Sequence, residues 1–339
     1  MRRTVQVLAV SRSSRYADGI HALCPRRLYC AQHVRTASSR LRSTRSAFTL
    51  VELLVVISII ALLISILLPT LRDARDQAKA ALCLANLRSL SHGWHMYADE
   101  NNDMSVPGRY YNKGGGTSNP ANWYDVGNGL KYRPRWVATM GKQVGIYAFN
   151  QPSTSNDRQD YDSKVYHCPA AADRTDERNA AFGYNHQFLG NARQTNGKFN
   201  NWPVNRSRIR TFAGTVLGGD CMGTAAGFPE IARKSYDAKG GDFDRVGNHA
   251  WTLDPPRLTA TSDRGDGGAT SPRTAVDPRH LDKANVIFCD GHGERTTPKN
   301  LGYRIRAAGE YADVDADPDQ PTNNLFSGTA RDDDPPDLP

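Results

Sequence analysis

From Leu50 to Leu68 the chain is a series of Leu, Val, Ile and Ala side chains broken only by Glu52, Ser58 and Ser65. The run is apolar on every side, and at 1.5 Å per residue such a helix spans roughly 30 Å, the hydrocarbon thickness of a bilayer. A membrane-spanning helix is the expected element. Glu52 is its anomaly, because a carboxylate inside such a segment costs on the order of 2.5–3.5 kcal/mol and therefore implies a partner. Beyond Pro69 the pattern changes. Leu71, Ala74, Ala78, Ala81, Leu82, Ala85, Leu90, Trp94 and Tyr97 recur mostly at intervals of three and four. That spacing predicts an amphipathic continuation, with this face packed on a globular body and Arg72, Asp73, Arg75, Asp76 and Lys79 in water. Asn101-Asn102-Asp103 and Pro107-Gly108 then stop a helix of about 50 residues.

The rest of the chain reads as short strands between long loops. Residues 104–160 are rich in Gly, Asn, Tyr and Trp, with turn signals at Gly114-Gly115-Gly116 and Asn128-Gly129, and read as a loop-rich insertion. Short strands are predicted at Val165–Pro169, Phe182–Asn185 and Thr215–Asp220. The strongest strand is Ala284–Cys289, which Asp290-Gly291-His292-Gly293 turns back into Glu294–Thr297 as a hairpin. Residues 225–277 read as extended surface loops, and the Asp- and Pro-rich tail 311–339 as disordered.

Charge changes one part of this picture. The formal net charge is +8, from 43 basic and 35 acidic residues, yet residues 1–47 hold ten Arg, no Lys and a single acid, Asp18. Removing them leaves 33 basic and 34 acidic residues, so the remainder is near neutral. The positive balance reports the leader and not a nucleic-acid surface. Arginines ahead of the apolar run place residues 1–47 in the cytoplasm and send the C-terminal bulk outward. Cys24 and Cys30 lie in the leader, and Cys83, Cys168, Cys221 and Cys289 lie outside it. Four cysteines in an exported domain allow two disulfides in three connectivities, or stay reduced as small buried hydrophobes.

Ala47-Phe48-Thr49-Leu50-Val51-Glu52 resembles the processing site of type IV prepilins and type II secretion pseudopilins. In that family a prepilin peptidase cuts before the Phe, the new amino group is N-methylated, and a glutamate is the fifth mature residue. With Phe48 first, Glu52 is fifth and Pro69 twenty-second, where the family carries a helix-kinking proline. One position departs: Ala47 stands where the family usually has Gly. The leader is long for this class, which fits either an extended leader or a start codon placed upstream of the true one. The resemblance implies that Glu52 pairs with the Phe48 amine of a neighbouring subunit and sets register during assembly, neutralising two charges in an apolar site.

His280 followed nine residues later by Asp290-Gly291 resembles the H-x9-D-G signature of pseudopilin-like proteins with large C-terminal domains. Cys83-x-x-Asn86-Leu87-Arg88, His167-Cys168-Pro169 and Phe182-Gly183-Tyr184-Asn185 resemble the same group. His280, Asp290 and His292 are suitable metal ligands. The expected arrangement is instead an Asp290-Gly291 turn with His280 bonded to its backbone. Asp313, Asp315, Asp317 and Asp319 alternate as in a calcium loop, but Pro318 replaces the required Gly and Asn324 the bidentate Glu. No cofactor is expected, the alternative being calcium on surface carboxylates. No G-x-S-x-G, Walker loop or H-E-x-x-H is present, so no enzyme is expected.

The expected fold class is α+β and pilin-like: a long N-terminal helix, membrane half plus amphipathic half, packed on a small antiparallel sheet with long loops. The expected organisation is a leader at 1–47, an assembly helix at 48–69, its amphipathic half at 70–103, an exported domain at 104–310 and a tail at 311–339. The expected role is a processed, methylated subunit of a type II secretion or type IV pilus-like system. Its expected partners are prepilin peptidase, other pseudopilins or itself, and the inner (cytoplasmic) membrane, with no nucleic acid. The rival classes are a membrane-anchored module whose Trp/Tyr/Gly-rich loops bind carbohydrate or cell-wall polymer, and a metal-dependent hydrolase.

Overall fold

The computed structural model describes residues 48–155, 158–195, 198–201, 204–234, 247–312 and 320–336. The leader, including Ala47, and the Asp313–Asp319 alternation lie outside the described residues. The chain divides into two compact units, residues 1–58 and 59–339. In the first, the described residues are the opening of a 51-residue helix, α1 (Leu50–Glu100). The helix continues through Pro69. The missing Pro N–H removes the rung to the Ser65 carbonyl, and the neighbouring Thr70 Oγ1 donates to the Leu67 carbonyl at 2.9 Å.

In the second unit α1 buries one stripe: Ala80, Cys83, Leu87, Leu90, Trp94 and Ala98. Their steps of three and four put them on one helical face. The expected face was partly misplaced, since Leu71 and Leu82 are more than half exposed and Ala81 and Ala85 face outward. Residues 71–85 offer Ala or Leu on several sides, and Cys83 is the small hydrophobe that sets the face. α1 ends as expected, with Asn102 and Asp103 both left-handed and the Asp103 N–H bonded back to the Ala98 carbonyl at 2.9 Å.

The strands are β1 (Trp123–Asp125), β2 (Leu130–Tyr132), β3 (Phe182–Tyr184), β4 (Asn191–Thr195), β5 (Lys198–Asn201), β6 (Val216–Asp220), β7 (Ala284–Phe288) and β8 (Gly293–Thr296). β1–β2 and β4–β5 are separate hairpins, and the central antiparallel sheet runs β3-β6-β7-β8. Strand alternation splits the core between its two faces. Leu217 and Ile287 join Cys83, Leu87, Leu90 and Trp94 of α1 on one side. Val216, Val286 and Phe288 join Leu301, Tyr303, Tyr311 and Phe326 on the other. Asn285 Nδ2 donates to the Ala80 carbonyl of α1 at 3.0 Å, fixing helix against sheet. The fold is α+β, a long N-terminal helix packed on small antiparallel sheets.

Three sequence expectations change. Val165–Pro169 is not a strand: Lys164–Tyr166 forms one 3-10 turn. The stretch expected as surface loops buries Trp251, Leu253, Leu258 and Val276, because Asp254 gathers the N–H groups of Gly265 and Thr274 at 2.9 and 2.8 Å. The tail is ordered over 320–336, where Phe326 is fully buried and Arg257 pairs with Asp332 and Asp334. One aromatic anchor and that ion network hold a segment whose composition argues against a core.

Candidate functional site

The head of α1 is a reciprocal cap. Thr49 precedes the first helical residue, and its backbone N–H and hydroxyl both donate to Glu52 Oε2 at 2.8 Å. The Glu52 N–H in turn donates to Thr49 Oγ1 at 3.2 Å. Thr49-Leu50-Val51-Glu52 is thus a capping box, in which each side chain satisfies an amide the helix start leaves open. The partner that the carboxylate requires is, in the single chain, Thr49.

After the cap, α1 presents apolar surface as far as Leu68. The large hydrophobic side chains from Leu50 to Leu68 are 45–79 % exposed. Ser58 and Ser65 turn their hydroxyls onto the Leu54 and Leu62 carbonyls at 2.7 Å, so neither presents an open donor. By length and composition this helix can cross a membrane. An apolar surface of this extent needs lipid or neighbouring helices around it.

A second site lies between α1 and the sheet. Cys83 of α1 is disulfide-bonded to Cys168, with Cα atoms 5.4 Å apart. Asn86, one turn later, donates to the His167 carbonyl at 3.1 Å and holds the Cys168 segment against the helix. At the end of β6, Asp220 is fully buried. Its Oδ2 accepts the Asn285 N–H at 2.7 Å. His280 completes the group, with Nε2 3.4 Å from Cys168 Sγ and 3.4 Å from Asp220 Oδ2. Cys83, Cys168, Asp220 and His280 are all buried, and one donor atom from each lies within 4.8 Å of the others.

The backbone holds His280 firmly. Its N–H and carbonyl pair with Lys283 at 3.0 and 3.3 Å across Leu281 and Asp282, both left-handed at φ 54° and 59°. Leucine rarely adopts that conformation, so the turn is held by its surroundings. Arg279 beside it donates to the Ala181 and Cys221 carbonyls at 3.0 and 2.8 Å. Burial, followed by the Arg279 charge, brings the His280 imidazole down to about 4. Burial pushes the Asp220 carboxyl up to about 7, against the pull of Arg279 and the Asn285 N–H.

The Asp290-Gly291 turn forms as expected, with Gly291 left-handed at φ 90°, and the alternative ligand trio does not assemble. Among the described residues, His280 belongs to the buried group, whereas Asp290 and His292 stand on the β7–β8 turn. There His292 Nδ1 lies 2.6 Å from Asp290 Oδ1 and the imidazole stacks on Phe288 at 4.3 Å. Nine intervening residues carry the chain along β7, and this separates His280 from Asp290. Of the four body cysteines, Cys83 and Cys168 are bonded and Cys221 and Cys289 are free and buried. Asp220 is the residue that sequence reasoning passed over. Its only signal is a carboxylate closing an otherwise apolar strand, Val216–Asp220.

Comparison with known proteins bears on the first site alone. Residues 42–68 match the prokaryotic N-terminal methylation motif. No curated protein and no solved structure matches the chain. The matched segment ends one residue before Pro69 and contains Phe48, the capping box and the apolar run. Residues 42–68 therefore carry the signature of a type IV pilin-like precursor, a class that a prepilin peptidase processes and that assembles with other pilins.

Proposed function

We propose that this protein is a pseudopilin-like subunit of a type II secretion or type IV pilus-like system. The leader is removed between Ala47 and Phe48, and the new Phe48 amine is methylated. Residues 48–69 then serve twice, first as an inner-membrane anchor with the leader side cytoplasmic and residues 70–339 exported, then as the packing element of the assembly. The role is assembly, not catalysis.

The observation that carries this reading is the placement of one carboxylate at the head of an otherwise apolar helix surface. In the single chain Glu52 is satisfied by Thr49. Cleavage creates a cation four residues before it. In packed helices the amine of one subunit and the Glu52 of its neighbour neutralise each other, which places adjacent subunits in one register. A charge left unpaired in such an apolar setting costs about 3–5 kcal/mol, more than the ~1 kcal/mol of the cap given up.

The test is Glu52→Ala, followed in membrane and sheared extracellular fractions. The variant is expected to reach the membrane at ordinary levels and to disappear from the sheared fraction. Undiminished recovery in that fraction contradicts the proposal.

A further inference from the structure

We propose that Cys83, Cys168, Asp220 and His280 form a buried four-ligand site for a zinc-class divalent cation, filled when the two sulfurs are reduced. Donor type and spacing both point there. Two thiolates, an imidazole and a carboxylate are the ligands zinc takes in four-coordinate sites. Metal–sulfur lengths of ~2.3 Å and metal–nitrogen or metal–oxygen lengths of ~2.0 Å set neighbouring donors roughly 3.3–3.8 Å apart on a tetrahedron. Two edges already have that length, 3.4 Å from Cys168 Sγ to His280 Nε2 and 3.4 Å from His280 Nε2 to Asp220 Oδ2, and the other carboxylate oxygen, Oδ1, lies 4.0 Å from Cys83 Sγ. The sulfur–sulfur edge is the one closed by the Cys83–Cys168 bond.

A bridge that served only to tie α1 to the Cys168 segment has no need of a buried carboxylate and imidazole against its sulfurs. Burying those groups is unfavourable, and a cation adds to the partial compensation that the Asn285 N–H and Arg279 give Asp220. The surroundings fit a ligand shell. The Asn285 N–H orients Asp220 from β7. Arg279 Nε, 3.8 Å from Asp220 Oδ1, offsets the negative charge left when two thiolates and a carboxylate meet a divalent ion. A cavity of ≈ 160 Å³ lined by Asp76, Lys79, Ala170, Arg279, His280 and Leu281 lies beside the group on the His280 side. The four ligands come from α1, the Cys168 segment, β6 and the turn before β7, so a bound ion joins helix to sheet.

The redox balance is simple. A dithiol reductant, itself oxidised to a disulfide, supplies two electrons and two protons and converts the Cys83–Cys168 bond into two thiols. The cation then displaces those two protons into water as the thiolates bind. Metal and disulfide are therefore alternative closures of the same site.

The experiment uses the full chain in detergent, with Cys24→Ser and Cys30→Ser so that thiolate ligands come only from the body. The protein is reduced, freed of reductant without oxygen, and given cobalt(II) or zinc(II). One equivalent of metal retained through desalting is expected, with tetrahedral cobalt d–d bands and thiolate-to-cobalt charge transfer. His280→Gln and Asp220→Asn, which keep volume, should lose the tetrahedral spectrum. Because variants can fail to fold, zinc protection from alkylation is mapped by peptide mass spectrometry on the chain with its four ligands unsubstituted. Protection of Cys83 and Cys168 over the apo form supports the site. No retained metal, cobalt without thiolate charge transfer, or protection confined to Cys221 and Cys289 overturns it.

Discussion

Thr49 and Glu52 cap each other at the head of α1, the hydroxyl and amide of the threonine both directed at one carboxylate oxygen, 2.8 Å away. This relationship separates two explanations of why a glutamate stands there. A capping box accepts Gln as well as Glu, whereas a charge pair with a neighbour's amine does not. Glu52→Gln is expected to keep the helix start, read as hydrogen-exchange protection of the first amides of α1. It is also expected to lose incorporation into sheared filaments as fully as Glu52→Ala does. Filaments of ordinary yield from the Gln variant show that the cap alone is what the glutamate provides.

The cap itself is separable. Thr49→Val removes the hydroxyl and should loosen the first turn by about 1 kcal/mol, read as faster exchange at Leu50–Leu53. Leader removal is expected to continue. Unaltered exchange contradicts the capping box.

The Cys83–Cys168 bond closes a segment of 85 residues and ties α1 to the body. In the oxidised, metal-free protein, Cys83→Ser is expected to lower stability by roughly 2–4 kcal/mol. Denaturant unfolding in detergent measures this, and a midpoint equal to that of the unsubstituted protein refutes it.

Glu177 supplies a pH dependence of known sign. It is buried with Lys131 Nζ 2.9 Å from Oε1 and Arg135 Nη1 3.6 Å from Oε2. Burial raises its carboxyl from 4.5 to about 7, against the pull of Arg135 and Lys131. The folded chain therefore holds a proton that the unfolded chain releases. The resulting stabilisation is complete below about pH 4.5 and is lost as pH rises towards 7. The change is on the order of 3 kcal/mol. The stability of Glu177→Gln minus that of the unsubstituted protein should rise across this window, and a flat difference contradicts the assignment.

In β6, a Cβ at Gly219 would meet the Asn285 carbonyl oxygen of β7 at 2.7 Å. Gly219→Ala should cost about 1–3 kcal/mol by forcing the two strands apart. Full retention of the unfolding midpoint shows that the strands yield without penalty.

Local signals carried much of the fold. The apolar run, the stop at Asn101-Asn102-Asp103 and the Ala284–Thr296 hairpin are each written within about twenty neighbouring residues or fewer, and each was legible. So was the motif at Phe48–Glu52, though not the bond between Thr49 and Glu52. What was not legible depends on long-range packing. Cys168 and His280 lie 112 positions apart and meet only because α1, β6 and the turn before β7 converge. Spacing along the chain instead suggested His280 with Asp290 and His292, which β7 separates. Phe326 was hidden for a related reason. Two aromatics fifteen residues apart, Tyr311 and Phe326, give an acidic, Pro-rich tail no periodicity, yet both pack on the far face of the sheet.

The central claim concerns the bond before Phe48, and mass spectrometry of the N-terminal peptide tests it most directly. The protein is purified from membranes of a host that has a prepilin peptidase. The account requires a chain that begins at Phe48 and carries one methyl group on its amine. A chain that retains residues 1–47, or begins at another position, contradicts it.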